Sequence, residues 1–196
     1  MPVPEPASTP RSDEELAAFT VGALTPMDAT IDLRPYDPEW PRAYAREATA
    51  VRAVLGDRVA LLEHVGSTSV PGLAAKPIID MVLEVPDPAD EPAYVPDMEA
   101  AGWLLRIREP DWFGHRLFKG PRVSVNLHVF GAGCSETRRM LAFRDRLRTD
   151  EADRDLYLRT KQALAAQTWR HVQHYADAKS EVVADIMTRA LPDVTS

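Results

Sequence analysis

His64-Val65-Gly66-Ser67-Thr68-Ser69-Val70-Pro71-Gly72-Leu73-Ala74-Ala75-Lys76-Pro77-Ile78-Ile79-Asp80 joins two apolar runs through a turn rich in glycine and hydroxyls. The run before it, Arg58 to Val65, and the run that follows, Ile78 to Val85, both read as strands. The second carries a carboxylate, Asp80, and a buried strand keeps an aspartate only where it is paired, hydrogen-bonded or on a metal. Glycine beside hydroxyls at a strand end lets backbone come close to a phosphate. The stretch therefore reads as a site, with Gly66, Ser67 and Thr68 facing phosphate and Lys76 supplying charge. It is not a P-loop: five residues separate Gly66 from Gly72, and Leu73 stands where lysine is required. No Gly-x-Gly-x-x-Gly fingerprint is present either.

Outward from this stretch, Asp37-Pro38 opens a helix predicted over Glu39 to Val54, with Trp40, Ala43, Ala48 and Val51 in one stripe. Downstream, Trp103 to Arg108, Gly114 to Lys119 and Arg122 to Phe130 read as strands, the last two as a hairpin around Gly120-Pro121. The four prolines of Pro86 to Pro96 mark a loop. Helices are predicted over Ser135 to Arg148, Glu151 to Ala166 and Trp169 to Ala190. Upstream, Thr30 to Leu33 alternates like a short strand, and Ser12-Asp13-Glu14-Glu15 starts a short helix with Leu16 and Phe19. The expected organisation is a disordered tail over 1–10, a helical extension over 11–29 and one domain over 30–196. The fold class is α/β (α+β): a mixed β-sheet flanked by helices with a helical C-terminal portion, not a doubly wound unit.

A net charge of −7 argues against a nucleic-acid face, because phosphate neutralisation needs a basic surface, but permits a small cationic pocket. The single cysteine, Cys134, rules out an internal disulfide. With no leader pattern and no apolar run near 18 residues, no membrane role is expected and the cytoplasm is the expected location.

A Gly-Ser at a strand end followed by an aspartate on the next strand resembles the nucleotidyltransferase fold. The full wording of residues 66–80, with Tyr36-Asp37-Pro38-Glu39-Trp40, Asn126-Leu127-His128-Val129, Phe143-Arg144-Asp145-x-Leu147-Arg148 and Tyr157-x3-Lys161, resembles the GrpB family over residues 30 to 170. The resemblance implies a nucleotidyltransferase-like fold in a family of largely uncharacterised activity, some members of which are fused to dephospho-coenzyme A kinase. In the wider superfamily, chemistry is metal-assisted, with Asp-x-Asp on one strand and a third carboxylate on a neighbour. Asp80 matches the first position, but Val82 takes the second, and Glu84 lies about 13 Å along the strand. On the later strand the same-face pair is Asn126 and His128.

The candidate set is Asp80 and His128 as catalytic residues or ligands of one divalent metal, Mg²⁺ or Mn²⁺, with His128 alternatively a general base. Gly66, Ser67, Thr68, Lys76, Arg116, Asn126, Tyr157 and Lys161 are the expected phosphate or substrate contacts. Lys119, Arg144 and Arg148 are further cations for an anion pocket, and Trp112-Phe113 a candidate flap over a flat ligand. His171, His174 and Asp177 recur at three-residue spacing without a companion ligand cluster, which makes a metal site there a minor reading. The expected ligand is a nucleotide or phosphorylated small molecule, with nucleotidyl transfer as the reaction. The alternative is a non-catalytic nucleotide- or coenzyme A-related binding module.

Overall fold

In the computed structural model the chain forms one mixed five-stranded sheet with helices on both faces; residues 12–24 and 28–191 are described. The expected tail over 1–10 lies outside them. In chain order the elements are α1 (Asp13–Phe19), α2 (Glu39–Leu55), β1 (Leu61–Val65), β2 (Ile79–Val85), α3 (Val95–Ala100), β3 (Leu104–Glu109), β4 (His115–Lys119), β5 (Val125–Gly131), α4 (Ser135–Thr149), α5 (Glu151–Ala165), α6 (Val172–Asp177) and α7 (Ser180–Ala190). Strand order is β1-β2-β5-β4-β3; β2 and β5 run parallel and every other neighbour antiparallel. Among the described residues no helix is long and apolar enough to cross a membrane.

Strand parity divides the molecule. The odd residues of β2 and β5, among them Met81, Leu83, Val85, Leu127 and Val129, pack with Trp40, Ala48, Val51 and Leu55 of α2 in the main core. This is the apolar stripe predicted for that helix, which Asp37 starts by accepting from the Glu39 amide at 2.8 Å. The even residues, Asp80, Val82 and Glu84 on β2 with Asn126, His128 and Phe130 on β5, face the other way, paired 80 to 126, 82 to 128 and 84 to 130. A single period-two alternation thus sets the main core on one face, and on the other the polar residues Asp80, Asn126 and His128 beside a smaller core of Val65, Val82 and Phe130.

The elements differ from expectation at several ends. The strand predicted from Arg58 begins only at Leu61, because Gly56–Arg58 forms a 3₁₀ turn. Thr30 to Leu33 makes no strand; Ala29 and Arg34 form isolated bridges to Trp169 and Ala75. The long helix expected over Trp169 to Ala190 is two helices. Trp169 is held extended by backbone bonds to Ala29 of 3.0 and 3.3 Å, and the chain turns again at Ala178-Lys179.

Candidate functional site

The turn after β1 brings the two ends of the quoted stretch together. Val65 pairs with Asp80 across β1 and β2, so Gly66 lies against the Asp80 carboxylate. Gly66 has φ 67° and ψ −174°, a region essentially reserved for glycine, and a Cβ there would sit 2.5 Å from Asp80 Oδ2. Two independent constraints therefore demand glycine at this position. On the other side the Asn126 amide donates to Asp80 Oδ1 at 2.7 Å, and Asn126 Oδ1 accepts from Lys119 Nζ. Burial raises the Asp80 pKa, opposed by Asn126 and by the ammonium groups of Lys76, Lys179 and Lys119.

These residues border a cleft of about 530 Å³ on the even face of the sheet. Its lining includes Lys76, Lys119, Lys161 and Lys179. They are the only four lysines in a chain whose 23 Lys+Arg are otherwise arginine, and they come from four separate segments. Lys161 is almost fully buried, donates to the Ala74 carbonyl at 2.6 Å, and is pushed down to about 7 by burial, then by Lys179. Burial and Lys179 push Lys76 down to about 8; burial alone lowers Lys179 to about 8, with Asp80 and Asp177 opposing. Lys179 also lies over the Tyr175 ring at 4.4 Å. One carboxylate beside four amines gives the cleft an excess of basic groups. Lysine suits it because a buried ammonium can shed its proton and relieve the repulsion, whereas a guanidinium cannot. A larger depression of about 640 Å³, lined by Ile31, Leu33, Ala74 and Gln162 among others, contains no basic residue.

Ser67 lines the cleft and shares a hydrogen bond with Tyr157, whose buried phenol is pushed up to about 12. Tyr157 and Lys161, one turn apart on α5, are both buried, but Lys161 lines the cleft whereas Tyr157 packs in a hydrophobic cluster behind Ser67. Thr68 lines the cleft and also holds its own turn. Its hydroxyl donates to the Ile78 carbonyl at 3.2 Å and meets His64 Nε2 at 3.1 Å, so it braces the turn. His64, stacked on Tyr44 with centroids 4.7 Å apart, is held neutral by burial and by Arg148 and Arg144, with its pKa lowered to about 4. Arg148 clasps the Ser69 carbonyl with two bonds of 3.0 and 2.9 Å, and Arg144 bonds Glu63 and the His64 carbonyl. Both arginines hold the turn from behind and do not line the cleft.

His128 lines the cleft at the end of a side-chain chain. Glu109 Oε2 lies 2.8 Å from His115 Nδ1, and His115 Nε2 lies 3.0 Å from His128 Nδ1. With both rings neutral, the carboxylate accepts a hydrogen bond from His115 Nδ1–H, and His115 Nε2 then accepts one from His128 Nδ1–H. His128 Nε2 is thereby left as a lone-pair acceptor. Burial, then His115 and Lys119, push His128 down to about 3.

Several expected contacts fall elsewhere. Arg116 is paired with Val129, hence on the odd face; it is buried against Glu91 at 2.7 Å and cannot reach the cleft. Trp112 packs edge-on to His115 and Phe130 at 5.1 and 5.7 Å, and neither it nor Phe113 lines the cleft. His171 binds Asp13 Oδ1 at 2.9 Å and Asp177 accepts from Gln173 at 2.8 Å. Among the described residues no group of three or more His, Cys, Asp and Glu is placed to hold a metal. At Asp80 and His128 a divalent cation would meet one carboxylate, already accepting from the Asn126 amide, and one free ring nitrogen, His128 Nε2, beside the ammonium groups of Lys76, Lys179 and Lys119. Sequence reasoning missed Lys179, the Glu109–His115 pair and the wall formed by α1. The scarcity of lysine was the available signal for the first; the second depends on the register of β3 and β4, and the third joins segments far apart in sequence.

Comparison with known proteins agrees with this architecture. The GrpB protein family profile matches residues 30–189. A UPF0157 protein of Halalkalibacterium halodurans is 61% identical over 183 residues, covering 93% of this chain and 94% of the relative. A UPF0157 protein of Streptomyces coelicolor is 45% identical over 165 residues, 84% of this chain and 87% of the relative. The crystal structure of conserved protein GrpB from Enterococcus faecalis superposes with a TM-score of 0.73 at 29% identity, covering 82% of this chain and 98% of that one.

Proposed function

The chain belongs to the GrpB family, and from that premise we propose that it binds a phosphorylated small molecule, of which a nucleotide is the leading class, in the four-lysine cleft. One observation carries the reading: all four lysines of the chain line the cleft that holds Asp80. Lys76, Lys161 and Lys179 neutralise the phosphoryl oxygens, while Ser67 and the Gly66 turn border them. Asp80, held by Asn126, orients a ligand hydroxyl by accepting its proton in a hydrogen bond. Among the described residues no cluster of three ligands awaits a divalent cation, so any metal would enter on the ligand's own phosphates.

The Glu109–His115–His128 chain favours a second reading, in which the bound ligand also reacts and His128 Nε2 accepts a proton from an attacking hydroxyl. With its pKa near 3 in the protein alone, His128 serves as a base only if the ligand's negative charge raises it. Binding is therefore the better supported function, and turnover the conditional one.

Isothermal titration with nucleoside mono- and triphosphates and coenzyme A precursors, with and without Mg²⁺ or Mn²⁺, tests both. Lys161→Met should abolish binding of every phosphorylated ligand that the unmodified protein takes up. Undiminished binding sinks the proposal. If His128→Ala and Asp80→Asn retain binding and lose turnover, the second reading holds. If the unmodified protein turns over no nucleotide with any acceptor, only binding remains.

A further inference from the structure

We infer that the N-terminal arm, residues 12–24, is a selectivity wall of the cleft, so that the ligand is an anion carrying an apolar or planar group and not a bare phosphate. The inference rests on the anion reading above and supplies the other half of the ligand. The cleft lining has two chemical characters. Lys76, Lys161, Lys179, Asp80 and Ser67 are charged or polar; Leu16, Phe19 and Leu24 of the arm, with Ile107 and Leu117 of β3 and β4, are apolar, and Arg106 and Lys119 of those two strands line the cleft as well. The family profile begins at residue 30, so this wall comes from sequence outside the matched region.

The arm is tied down at both ends. A capping box of Ser12 and Glu15 starts α1. Asp13 bonds Arg170 and His171, on the chain leading into α6. Beyond the helix, the Val21 amide donates to the Arg106 carbonyl at 2.7 Å, Thr20 bridges Ile107, and Arg106 reaches back to the Ala23 carbonyl at 3.0 Å. So anchored, a seven-residue helix leaves Leu16 only 2% exposed. No isolated helix that short would persist in water; the anchoring and the buried leucine hold it here.

What the arm offers a ligand is apolar. Residues 12–24 contain no basic side chain and three acidic ones, so the arm adds nothing to phosphate binding. A volume of about 530 Å³ is that of a small-molecule pocket, with space well beyond a single phosphoryl group. A ligand with phosphate among the lysines and a nucleobase or aliphatic chain against Leu16 and Phe19 satisfies both kinds of lining. A bare oligophosphate satisfies one.

The test titrates three probes by calorimetry at pH 7: pyrophosphate, adenosine monophosphate for a planar group and hexyl phosphate for an aliphatic one. The unmodified protein should bind at least one organic phosphate about tenfold or more tighter than pyrophosphate, and Phe19→Ser should remove about tenfold from that ligand. Phe19→Leu should restore it, while pyrophosphate affinity stays within twofold throughout and reports that the cleft is folded. The stronger organic probe identifies the class of apolar group. The wall is refuted if pyrophosphate binds as well as both organic probes, or if Phe19→Ser shifts all probes equally or none. Failure of the anion reading looks different: no probe binds, or Lys161→Met leaves every affinity unchanged.

Discussion

Raising the pH from 7 to 9 should weaken phosphate-ester binding while making the ligand-free protein more stable, and the two opposite signs have one cause. Lys161 titrates near 7, and Lys76 and Lys179 near 8, all well below the ordinary lysine value of 10.5. An anion that needs them protonated loses affinity as each deprotonates, and a phosphomonoester, with its second pKa near 6, does not itself change charge over this window. If Lys161 alone must be charged, its fraction protonated falls from about one half to about one hundredth, an affinity loss of about 50-fold. If all three must be charged, the loss rises to about 5,000-fold, an upper limit because coupled groups titrate more broadly. Stability moves the other way. A lysine whose folded pKa is depressed binds fewer protons in the native than in the unfolded state, so unfolding free energy rises with pH from about 7 until the unfolded value is passed. Lys161, buried to 2% exposure, accounts for about 2 kcal/mol of that gain between pH 7 and 9. Calorimetric titration of adenosine monophosphate and urea unfolding of the ligand-free protein measure the two slopes. Lys161→Met should leave no binding to measure and should remove the Lys161 share of the stability slope, leaving that of Lys76 and Lys179. An affinity that changes by less than threefold over this range, or a stability that falls with pH, refutes the reasoning.

Gly66→Ala should cost about 1–3 kcal/mol in urea unfolding for its backbone conformation and shift the Asp80 carboxylate, whereas Gly72→Ala, with φ 79° and open space around it, should show the backbone cost alone. Equal losses at the two sites would remove the contact with Asp80 from the argument. Arg148→Met strands the Ser69 carbonyl and should destabilise by about 1–3 kcal/mol, read from the urea midpoint. Its effect on ligand affinity should be smaller than that of Lys161→Met, since Arg148 is behind the turn. An amine-selective acylating reagent at pH 7.5 should modify Lys179 and Lys76 readily, and bound phosphate ester should protect them; peptide mass mapping reads this directly, and unprotected modification counts against the cleft.

Much of the site's local geometry is written in neighbouring residues. A strand, a turn needing glycine and hydroxyls, and a second strand bearing Asp80 form a local unit, and antiparallel pairing of Val65 with Asp80 follows from that order. The apolar stripe of α2 and the hairpin of β4 and β5 have the same local character, since period 3.6 or period 2 is legible along the chain. Parity alone also says that Arg116 and Lys119, an odd number of residues apart on one strand, face opposite ways, although it does not say which faces the cleft. That depended on the register Lys119 to Asn126, and so on which sheet face α2 covers. A helix period shows that Arg144 diverges from the Phe143–Leu147 face but not what lies opposite it, so the sequence does not say that Arg144 and Arg148 grip the turn from behind.

From its own order of residues this protein has its family, its strand-turn-strand site and the glycine pressed against Asp80. Those features are made by bonds and contacts between near neighbours or by a repeating period. The convergence of Lys76, Lys119, Lys161 and Lys179 on one cleft, the Glu109–His115–His128 chain, and the arm that walls the site belong to the folded whole. Each joins segments tens of residues or more apart, or depends on a strand register or a helix break at Ala178-Lys179 that no glycine or proline announces. Burial of the α2 face chooses among those arrangements, and burial is a property of all the elements together.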